Sequence, residues 1–457
     1  MMELDAPAPS QVGDDAQGDF SLIRYLKTKF PLELFLRLTD FMEDSTLLNL
    51  RLACRELEDA LLPTFRKRFF TKRHVYLGET SLRRLVAISD EPRLASHISA
   101  VSLGYSSGRN QEAEDDLMIM DSGYDVELLT HAFSNMPNLK DATVKLDPVL
   151  SNTDVAIHHD GTENFHDRWR KMFRKLLRAL SLAGRELHTL NMQHQGGGPG
   201  GGSYMADLYV SDCLRNVFAR PLLSLKSLAL ALEIRPQRFK PNDLPALLAF
   251  LAIPQELEHL RLNFDRNAHG AAPEALRSLT EAIPTLPFSH LAQLDLGKIT
   301  VTPESLVNCV RAFAGTLTKL QFFRIGLFHG TTPPSESPQE PEGDPPRVQA
   351  LLWKRVFKKL AAMPELGRLT RFSAGFLTER LRRDHVAFLQ TSQGAVATLP
   401  TTEYSGVDTQ RFLEELADNV VALQKQRRLE VVPSEGESDS EDDEDDGDDD
   451  EDGEDGE

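Results

Sequence analysis

Cysteine is scarce in this sequence of 457 residues. It has three, Cys54, Cys213 and Cys309, and they are far apart. Three cysteines are too few for a disulfide framework and an odd number for complete pairing, so reduced thiols in an intracellular protein are the simpler interpretation. We therefore expect a cytoplasmic location, a nuclear one, or both.

Long apolar runs are also missing. The longest apolar stretch, Leu244 to Ile253, contains Pro245 and is followed by Pro254, and the first twenty residues are acidic and polar. A membrane helix needs about 20 apolar residues, and a signal peptide needs an apolar segment near its start. The sequence predicts neither, so we expect no membrane partner.

The chain has no large overall excess of positive charge. The formal net charge is −19, with 17 acidic and no basic residues in 434–457 and five acidic and no basic residues in 1–20. Without those 22 negative charges, residues 21–433 carry a net charge of +3. Phosphate-backbone binding requires concentrated positive charge, so nucleic acid is not an expected partner.

The sequence gives little indication of catalytic chemistry. It contains no His-Glu-x-x-His segment. His158, His159, Asp160 and His166 lie close together without the paired spacing of metal ligands, and the glycine run 196–202 lacks the Lys-Ser/Thr end of a phosphate-binding loop. We therefore predict no catalytic residue, no metal and no cofactor.

Low-complexity segments divide the chain. Residues 1–20 and 431–457 are acidic, and insertions near 194–203 and 330–347 are rich in glycine or proline. Such segments cannot offset the entropy of ordering, so we expect disordered ends and mobile insertions. The acidic tail serves solubility, tethers basic proteins, or is modified at Ser438 and Ser440, which precede dense acidic sequence.

The segment from 30 to 70 is densely apolar at helical spacing. Leu34, Leu38 and Phe41 recur at i, i+4 and i+7, and Asp44 or Ser45 can cap a second helix. Three short helices fit this segment. About forty residues cannot bury so much apolar surface by themselves, so a patch should remain for a partner. The alternative from pattern alone is an ordinary helical core.

This helical segment resembles the F-box, with Phe30 and Leu57 at positions where the family usually has Leu and Trp. The residues that match in order and spacing are Pro31, Glu33, Leu34, Leu38, Leu48, Leu50, Leu52, Cys54 and Arg55. The match covers about one tenth of the chain, and we place the F-box at 21–76. The composition and the degenerate repeats described next resemble those of fungal F-box proteins.

The F-box resemblance implies a partner, the Skp-type adaptor of a cullin ubiquitin ligase, and a role as a non-catalytic substrate receptor. The residues that it implies for adaptor binding are Pro31, Leu32, Glu33, Leu34, Leu38, Leu48, Leu52 and Cys54. The alternative is an F-box scaffold or assembly protein that binds the adaptor without ligase activity. Recruitment of a cullin discriminates between them.

A degenerate repeat follows the helical segment. Short strands begin at 187, 225, 257, 291 and 317, and helical periodicity separates them. Each has leucine at offsets 0 and 3 and leucine, Met192 or Phe322 at offset 5. A more degenerate copy of this pattern precedes them at 138–146, NLKDATVKL, and one further strand follows them at 366–377, LGRLTRFSAGFL. The starts are 38, 32, 34 and 26 residues apart, which indicates one supersecondary unit per repeat.

The Leu-x-x-Leu-x-Leu segments resemble leucine-rich repeats. The family's Asn or Cys three residues after the last leucine is replaced by Gln195, Glu233, Asp265, Ile299 and Ile325, so we expect its side-chain ladder to be lost. The fold class we predict is an α+β or α/β solenoid, with a helical F-box followed over 77–430 by an irregular strand-helix arc.

Alternation along these strands predicts an exposed row between the buried leucines. The row comprises Thr189, Asn191, Ser227, Ala229, His259, Arg261, Gln293, Asp295, Lys319 and Gln321. The last six form a polar and charged set that suits an unknown protein substrate, and they are our candidates for substrate binding. The alternative for most of the row is a solvated sheet face.

Overall fold

The computed structural model describes residues 32–53, 55–104, 122–146, 165–194, 203–204, 219–233, 243–264, 273–328, 351–379, 384–392 and 395–424. Within these ranges the protein is a mixed α/β structure whose largest element is a mostly parallel sheet. The predicted disordered lead, the acidic tail with Ser438 and Ser440, and both predicted insertions lie outside these residues, apart from positions 194 and 203.

Three helices precede the sheet, as the sequence predicts. They are α1 (Leu32–Thr39), α2 (Asp44–Ala53) and α3 (Arg55–Phe69). Their common core is small and consists of Phe35, Leu47, Leu57 and Leu61. We call α1–α3 the helical segment.

The large sheet contains eleven strands. Ten of them are neighbours in space in the order β1 (Lys72–Tyr76), β2 (Ala100–Gly104), β3 (Asp141–Leu146), β4 (Thr189–His194), β6 (Ser227–Glu233), β7 (His259–Phe264), β8 (Gln293–Gly297), β10 (Lys319–Phe323), β12 (Arg371–Gly375) and β16 (Thr401–Ser405). The eleventh strand, β5 (Ser203–Tyr204), pairs with β6. The pairings from β1 to β12 are parallel, and β16 is antiparallel to β12.

The parallel strands share one register. Lys72 aligns with the first residue of β2, and the alignment of first residues continues through every pairing to Arg371 of β12. Side chains alternate between the two faces of a strand, so the second and fourth residues form columns on one face. The first, third and fifth residues form columns on the other, which we call the open face.

Leucine spacing correctly predicted which residues point inward. Every residue at the three offsets is buried: Leu187, Leu190, Met192, Leu225, Leu228, Leu230, Leu257, Leu260, Leu262, Leu291, Leu294, Leu296, Leu317, Leu320 and Phe322. The two weaker segments are also strands, β3 and β12. The range that we assigned to the F-box, 21–76, includes Lys72–Tyr76, which is β1 of the sheet. Val75 is the only buried residue of β1, and β1 contains no leucine, so the leucine spacing does not reveal this strand.

Nine further helices in the described residues connect and flank the strands. They are α4 (Glu79–Ser89), α5 (Pro92–Ala95), α6 (Tyr124–Ser134), α7 (Phe165–Leu182), α8 (Asp243–Leu251), α9 (Pro273–Ala282), α10 (Pro303–Phe313), α11 (Leu351–Ala361) and α12 (Thr409–Asn419). Their buried side chains join the inward columns of the strands in one continuous apolar cluster. Among the described residues, no helix has both the length and the apolar character needed to cross a membrane.

A second sheet forms where the last strands turn a corner. Its strands are β9 (Thr300–Val301), β11 (Gly326–Leu327), β13 (Thr378–Glu379), β14 (Asp384–Ser392), β15 (Ala395–Leu399) and β17 (Val420–Gln424). Between the two sheets, Lys298, Arg324 and Phe376 occupy equivalent corners with φ of 57°, 54° and 52°. This left-handed conformation costs a non-glycine residue about 1–2 kcal/mol, so the surrounding structure must hold each corner in place.

Backbone hydrogen bonds provide that support. The N–H of Lys298 donates to the Phe323 carbonyl at 2.7 Å, and the N–H of Arg324 donates to the Gly375 carbonyl at 2.8 Å. The residues that follow these two corners, Ile299 and Ile325, are fully buried. The Ile299 carbonyl accepts from the N–H of Gly326 at 2.8 Å, and the Ile325 carbonyl accepts from the N–H of Thr378 at 2.9 Å. The backbone of neighbouring units thus replaces the polar side-chain ladder that we expected to be lost.

Aromatic side chains fill the C-terminal end of the core. Trp353 of α11 lies 5.3 Å from Phe357 and 6.1 Å from Phe322 between ring centroids. Its indole N–H donates to the Thr378 carbonyl at 3.1 Å, and its backbone N–H donates to the buried Glu379 carboxylate at 2.8 Å. A carboxylate beside free N–H groups stabilises a helix start, so Glu379 fixes α11 against β13.

One buried ion pair joins two helices. Asp125 of α6 is fully buried, and its Oδ2 lies 2.5 Å from Nζ of Lys175 on α7, which is 14% exposed. Burial raises the pKa of Asp125, while the Lys175 ammonium and the N–H of Val126 oppose that rise. The carboxylate therefore depends on Lys175 to remain charged at this position.

Replacing Lys175 by Met should lower the unfolding temperature more at pH 8 than at pH 5. A carboxyl whose pKa is raised by folding binds more protons in the folded state, so stability falls as pH rises from its unfolded to its folded pKa. Without Lys175, the pKa of Asp125 rises further and the penalty at pH 8 grows to about 3 kcal/mol. Thermal unfolding at both pH values, relative to the intact protein, measures the difference.

The double variant Asp125→Asn/Lys175→Met is the control for this experiment. It has no carboxyl at position 125, so its loss of stability should be the same at both pH values. A pH-independent loss in the single variant would show that the Asp125 charge does not cause the destabilisation.

Candidate protein-binding sites

Large apolar side chains of the helical segment lie in solvent. Leu34 and Leu38, one turn apart on α1, are 48% and 49% exposed, and Phe41 just after α1 is 88% exposed. Leu48 and Leu52, one turn apart on α2, are 39% and 79% exposed. Residues four apart lie on the same helix face, so each helix presents an apolar pair. We call these five residues the apolar face.

Arg68 of α3 holds the turn between α1 and α2. Its Nη1 donates to the Met42 carbonyl at 2.6 Å, and its Nε lies 2.6 Å from Asp44 Oδ1 at the start of α2. Hydrogen bonds between charged groups are stronger than neutral ones and define geometry. The turn beside Phe41 is therefore fixed relative to α3.

Arg51 connects α2 to α3 in a similar way. Its Nη2 lies 2.8 Å from Glu58 Oε1, and its guanidinium lies 4.0 Å from the centroid of the Phe65 ring. The Phe65 ring is 5.4 Å from Phe70, which packs against the main core. The apolar face is thus carried by helices that are braced together and connected to the sheet.

The predicted adaptor-binding residues are largely on this surface. Leu34, Leu38, Leu48 and Leu52 belong to the apolar face, and Glu33 is also exposed. Pro31 and Cys54 lie outside the described residues, and Leu32 begins α1. Phe41 was not among the predicted residues, although its i+7 spacing from Leu34 indicates the same side of the segment.

The predicted substrate-binding residues occupy the open face of three neighbouring strands. Arg261 and Lys319 are exposed, and His259, Gln293 and Gln321 are half-buried. Asp295 differs from the expectation of an exposed row, because it is only 6% exposed. Side chains from adjacent strands cover it.

A hydrogen-bonded network explains the burial of Asp295. Its Oδ2 lies 3.0 Å from Nε2 of His259, and its two oxygens accept from the Gln293 amide at 3.2 and 3.1 Å. On the other side of the imidazole, Nδ1 lies 3.1 Å from the Ser227 hydroxyl. With Nε2–H donating to Asp295, Nδ1 is the acceptor for the hydroxyl proton.

Ser227, His259 and Asp295 therefore form a Ser-His-Asp series across β6, β7 and β8. Acyl transfer by a serine also requires N–H donors directed at the reacting oxygen. Backbone groups around Ser227 are used in pairing β6 with β4 and β7. We interpret the series as a device that orients His259 for recognition. The sequence could not reveal it, because it depends on the register between units more than 30 residues apart.

No protein-family model matches the chain, and no curated protein matches it.

The variants Leu47→Ala and Leu52→Ser should have different effects on the stability of the helical segment, because Leu47 belongs to its core and Leu52 to its apolar face. Leu47 is fully buried, so its truncation should cost about 2–5 kcal/mol and melt α1–α3. Leu52 is 79% exposed and should change stability by less than about 0.5 kcal/mol. Hydrogen exchange of the helical segment measures both effects. Comparable loss of protection in the two variants would show that Leu52 is a core residue.

Proposed function

We propose that the protein is a substrate-receptor subunit of a Skp-cullin-F-box ubiquitin ligase. In this proposal α1–α3 are the F-box helices that bind the Skp-type adaptor, and the open face of the sheet holds a protein substrate. The chain makes and breaks no bond itself, because its contribution is to bring the substrate close to a separately recruited conjugating enzyme.

The apolar face is the observation that carries the proposal. Covering an exposed leucine or phenylalanine gives about 1.5–3 kcal/mol, whereas association costs at least about 4 kcal/mol of lost freedom. Several residues must therefore be covered together, which favours a protein partner over a small ligand. Leu34, Leu38 and Phe41 on and after α1, together with the pair on α2, provide five such residues.

The order of residues in the segment supports the identity of this partner. Glu33, Leu34 and Leu38 on α1 and Leu48 and Leu52 on α2 match the F-box pattern, and all five are exposed. A segment that used these leucines for its own core would bury them, as it buries Leu47 and Leu61.

We also propose that the strand and helix units form a leucine-rich-repeat-like solenoid. The common register from β1 to β12 and the buried leucine columns support this architecture. Such a solenoid offers an extended face, and the oriented His259 beside exposed Arg261 suits polar side chains of a protein.

Adaptor capture tests the first part of the proposal. The variant Leu34→Ser/Leu52→Ser should keep its fold, because both side chains are exposed, and lose at least tenfold in capture of the adaptor. The matched control is Leu223→Ser/Val407→Ser, which removes two exposed apolar residues outside the helical segment. Co-purification scored for the Skp-type adaptor and for the cullin is the measurement.

Each outcome of this experiment is decisive. Capture of adaptor and cullin by the intact protein and the control, but not by the variant, supports a ligase receptor. Adaptor without cullin favours the scaffold alternative. Capture of neither by the intact protein would contradict the F-box assignment.

Alanine at His259 and Arg261 tests the substrate face. The double variant should still capture the adaptor and should lose the remaining co-purified proteins, because it removes the oriented imidazole and the neighbouring cation. Arg411→Ala, which removes an exposed arginine on α12, is the control. An unchanged set of co-purified proteins in the double variant would place substrate binding elsewhere.

A further inference from the structure

The first three strands form a trough on the open face. The side chains that β2 places on this face are small, Ala100, Ser102 and Gly104, whereas the flanking strands carry longer ones. Ser102 and Gly104 are buried, so the trough is shallow and its accessible groups are the side chains of its walls. Neighbouring strands are about 4.8 Å apart, so β1 and β3 face each other about 10 Å apart across this floor.

Cations line both walls of this trough. On β1, Lys72 and His74 are exposed, and on β3, Lys145 is half-buried. His74 is in register with Ser102 and, through it, with Thr143. In the described part of the chain, neither Lys72 nor Lys145 has an ion-pair partner.

These positive charges act on one another. The pKa of His74 is lowered by partial burial and then by the charges of Lys145, Lys72 and Arg73. Lys145 has the largest effect of the three, and it lies on the same face of the sheet as His74, on the other side of β2. Like charges held together are destabilising unless an anion joins them.

Polar hydroxyls complete the surroundings. Tyr76 is 47% exposed, and its ring edge lies 3.2 Å from the position that a Cβ on Gly104 would occupy. Thr143 is half-buried between the cations. The acidic residue on this face of β3, Asp141, aligns with Ala100 and through it with Lys72, at the opposite end of the strands from Tyr76 and Lys145. The positive end of the trough is therefore the end nearer Tyr76.

We propose that this trough binds a phosphate monoester. His74 and Lys145, at the end nearer Tyr76, would neutralise its charge, and the hydroxyls of Tyr76 and Thr143 would donate to its oxygens. A phosphoryl group is compact, carries close to two negative charges, and has three strong acceptor oxygens, which matches two basic groups beside two hydroxyl donors. The inference does not depend on adaptor binding, since the helical segment contributes no residue.

Inorganic phosphate is the first probe, with the full chain at constant ionic strength. Calorimetry should show binding that weakens at least tenfold in Lys145→Met. Lys358→Met is the matched control, because Lys358 is an exposed lysine on α11, outside the first three strands and the open face. Equal weakening in the control, or no binding by the intact protein, would overturn the proposal.

The imidazole of His74 gives a second readout that needs no altered lysine. A bound dianion stabilises the protonated ring, so phosphate should raise the pKa of His74 in an NMR titration. The His74→Gln variant identifies the signal. An unchanged titration in saturating phosphate would contradict the proposed contact even if phosphate bound elsewhere.

The source of the phosphoryl group is decided by comparison of two probes. A phosphoserine peptide that binds at least tenfold tighter than inorganic phosphate, and loses that advantage in Lys145→Met, assigns the trough to a phosphorylated protein. Equal affinities assign it to a free phosphate or small metabolite. An unphosphorylated peptide that competes as well as the phosphopeptide would contradict recognition of phosphate.

Discussion

The common register of the parallel strands is the constraint on which the rest of this structure depends. Because side chains alternate with a period of two, a slip of one residue in any pairing would turn its leucines to solvent. The alignment from Lys72 to Arg371 keeps the inward columns continuous. It also aligns the open face, so His259 meets Asp295 and Lys145 approaches His74 only because their strands start together.

The two candidate binding surfaces arise from different physical causes. On α1 and α2 apolar residues are more numerous than a core of four side chains can accommodate, and Phe41 and Leu52 remain in water. On the sheet the buried leucine columns point inward, and the open face carries most of the polar groups. The first surface is suited to broad contact through the hydrophobic effect, which lacks direction. The second is suited to directional hydrogen bonds.

Much of the fold could be predicted because leucine spacing reports directly on burial. The offsets 0, 3 and 5 located β4, β6, β7, β8 and β10. The excess of apolar residues in 30–70 predicted an exposed patch, and Leu34 and Leu38 belong to it. The method missed β1 and β2, since Lys72–Tyr76 and Ala100–Gly104 lack that spacing. It also missed β14 and β17, which pair antiparallel outside the repeat.

The polar contacts of the sites could not be predicted in the same way. Asp295 is adjacent to exposed positions in the sequence pattern, yet His259 and Gln293 cover it, and His259 comes from a unit 36 residues earlier. Nothing in the sequence distinguishes Lys72 and Lys145 from the other basic residues, of which there are 51 in total. Their relation depends on the register, which places their strands on either side of β2. Contacts between units require the pairing as well as the period.

The composition of β1 has a consequence for the behaviour of the protein in concentrated solution. In the described part of the chain β1 pairs only with β2, so it is the terminal strand of the large sheet. The unpaired edge of a strand is a template for the strand of another molecule and is a common origin of aggregation. Lys72, Arg73 and His74 follow one another on this edge. A second copy that approached edge to edge would bring the same basic residues together, so their mutual repulsion keeps neighbouring molecules from joining their sheets.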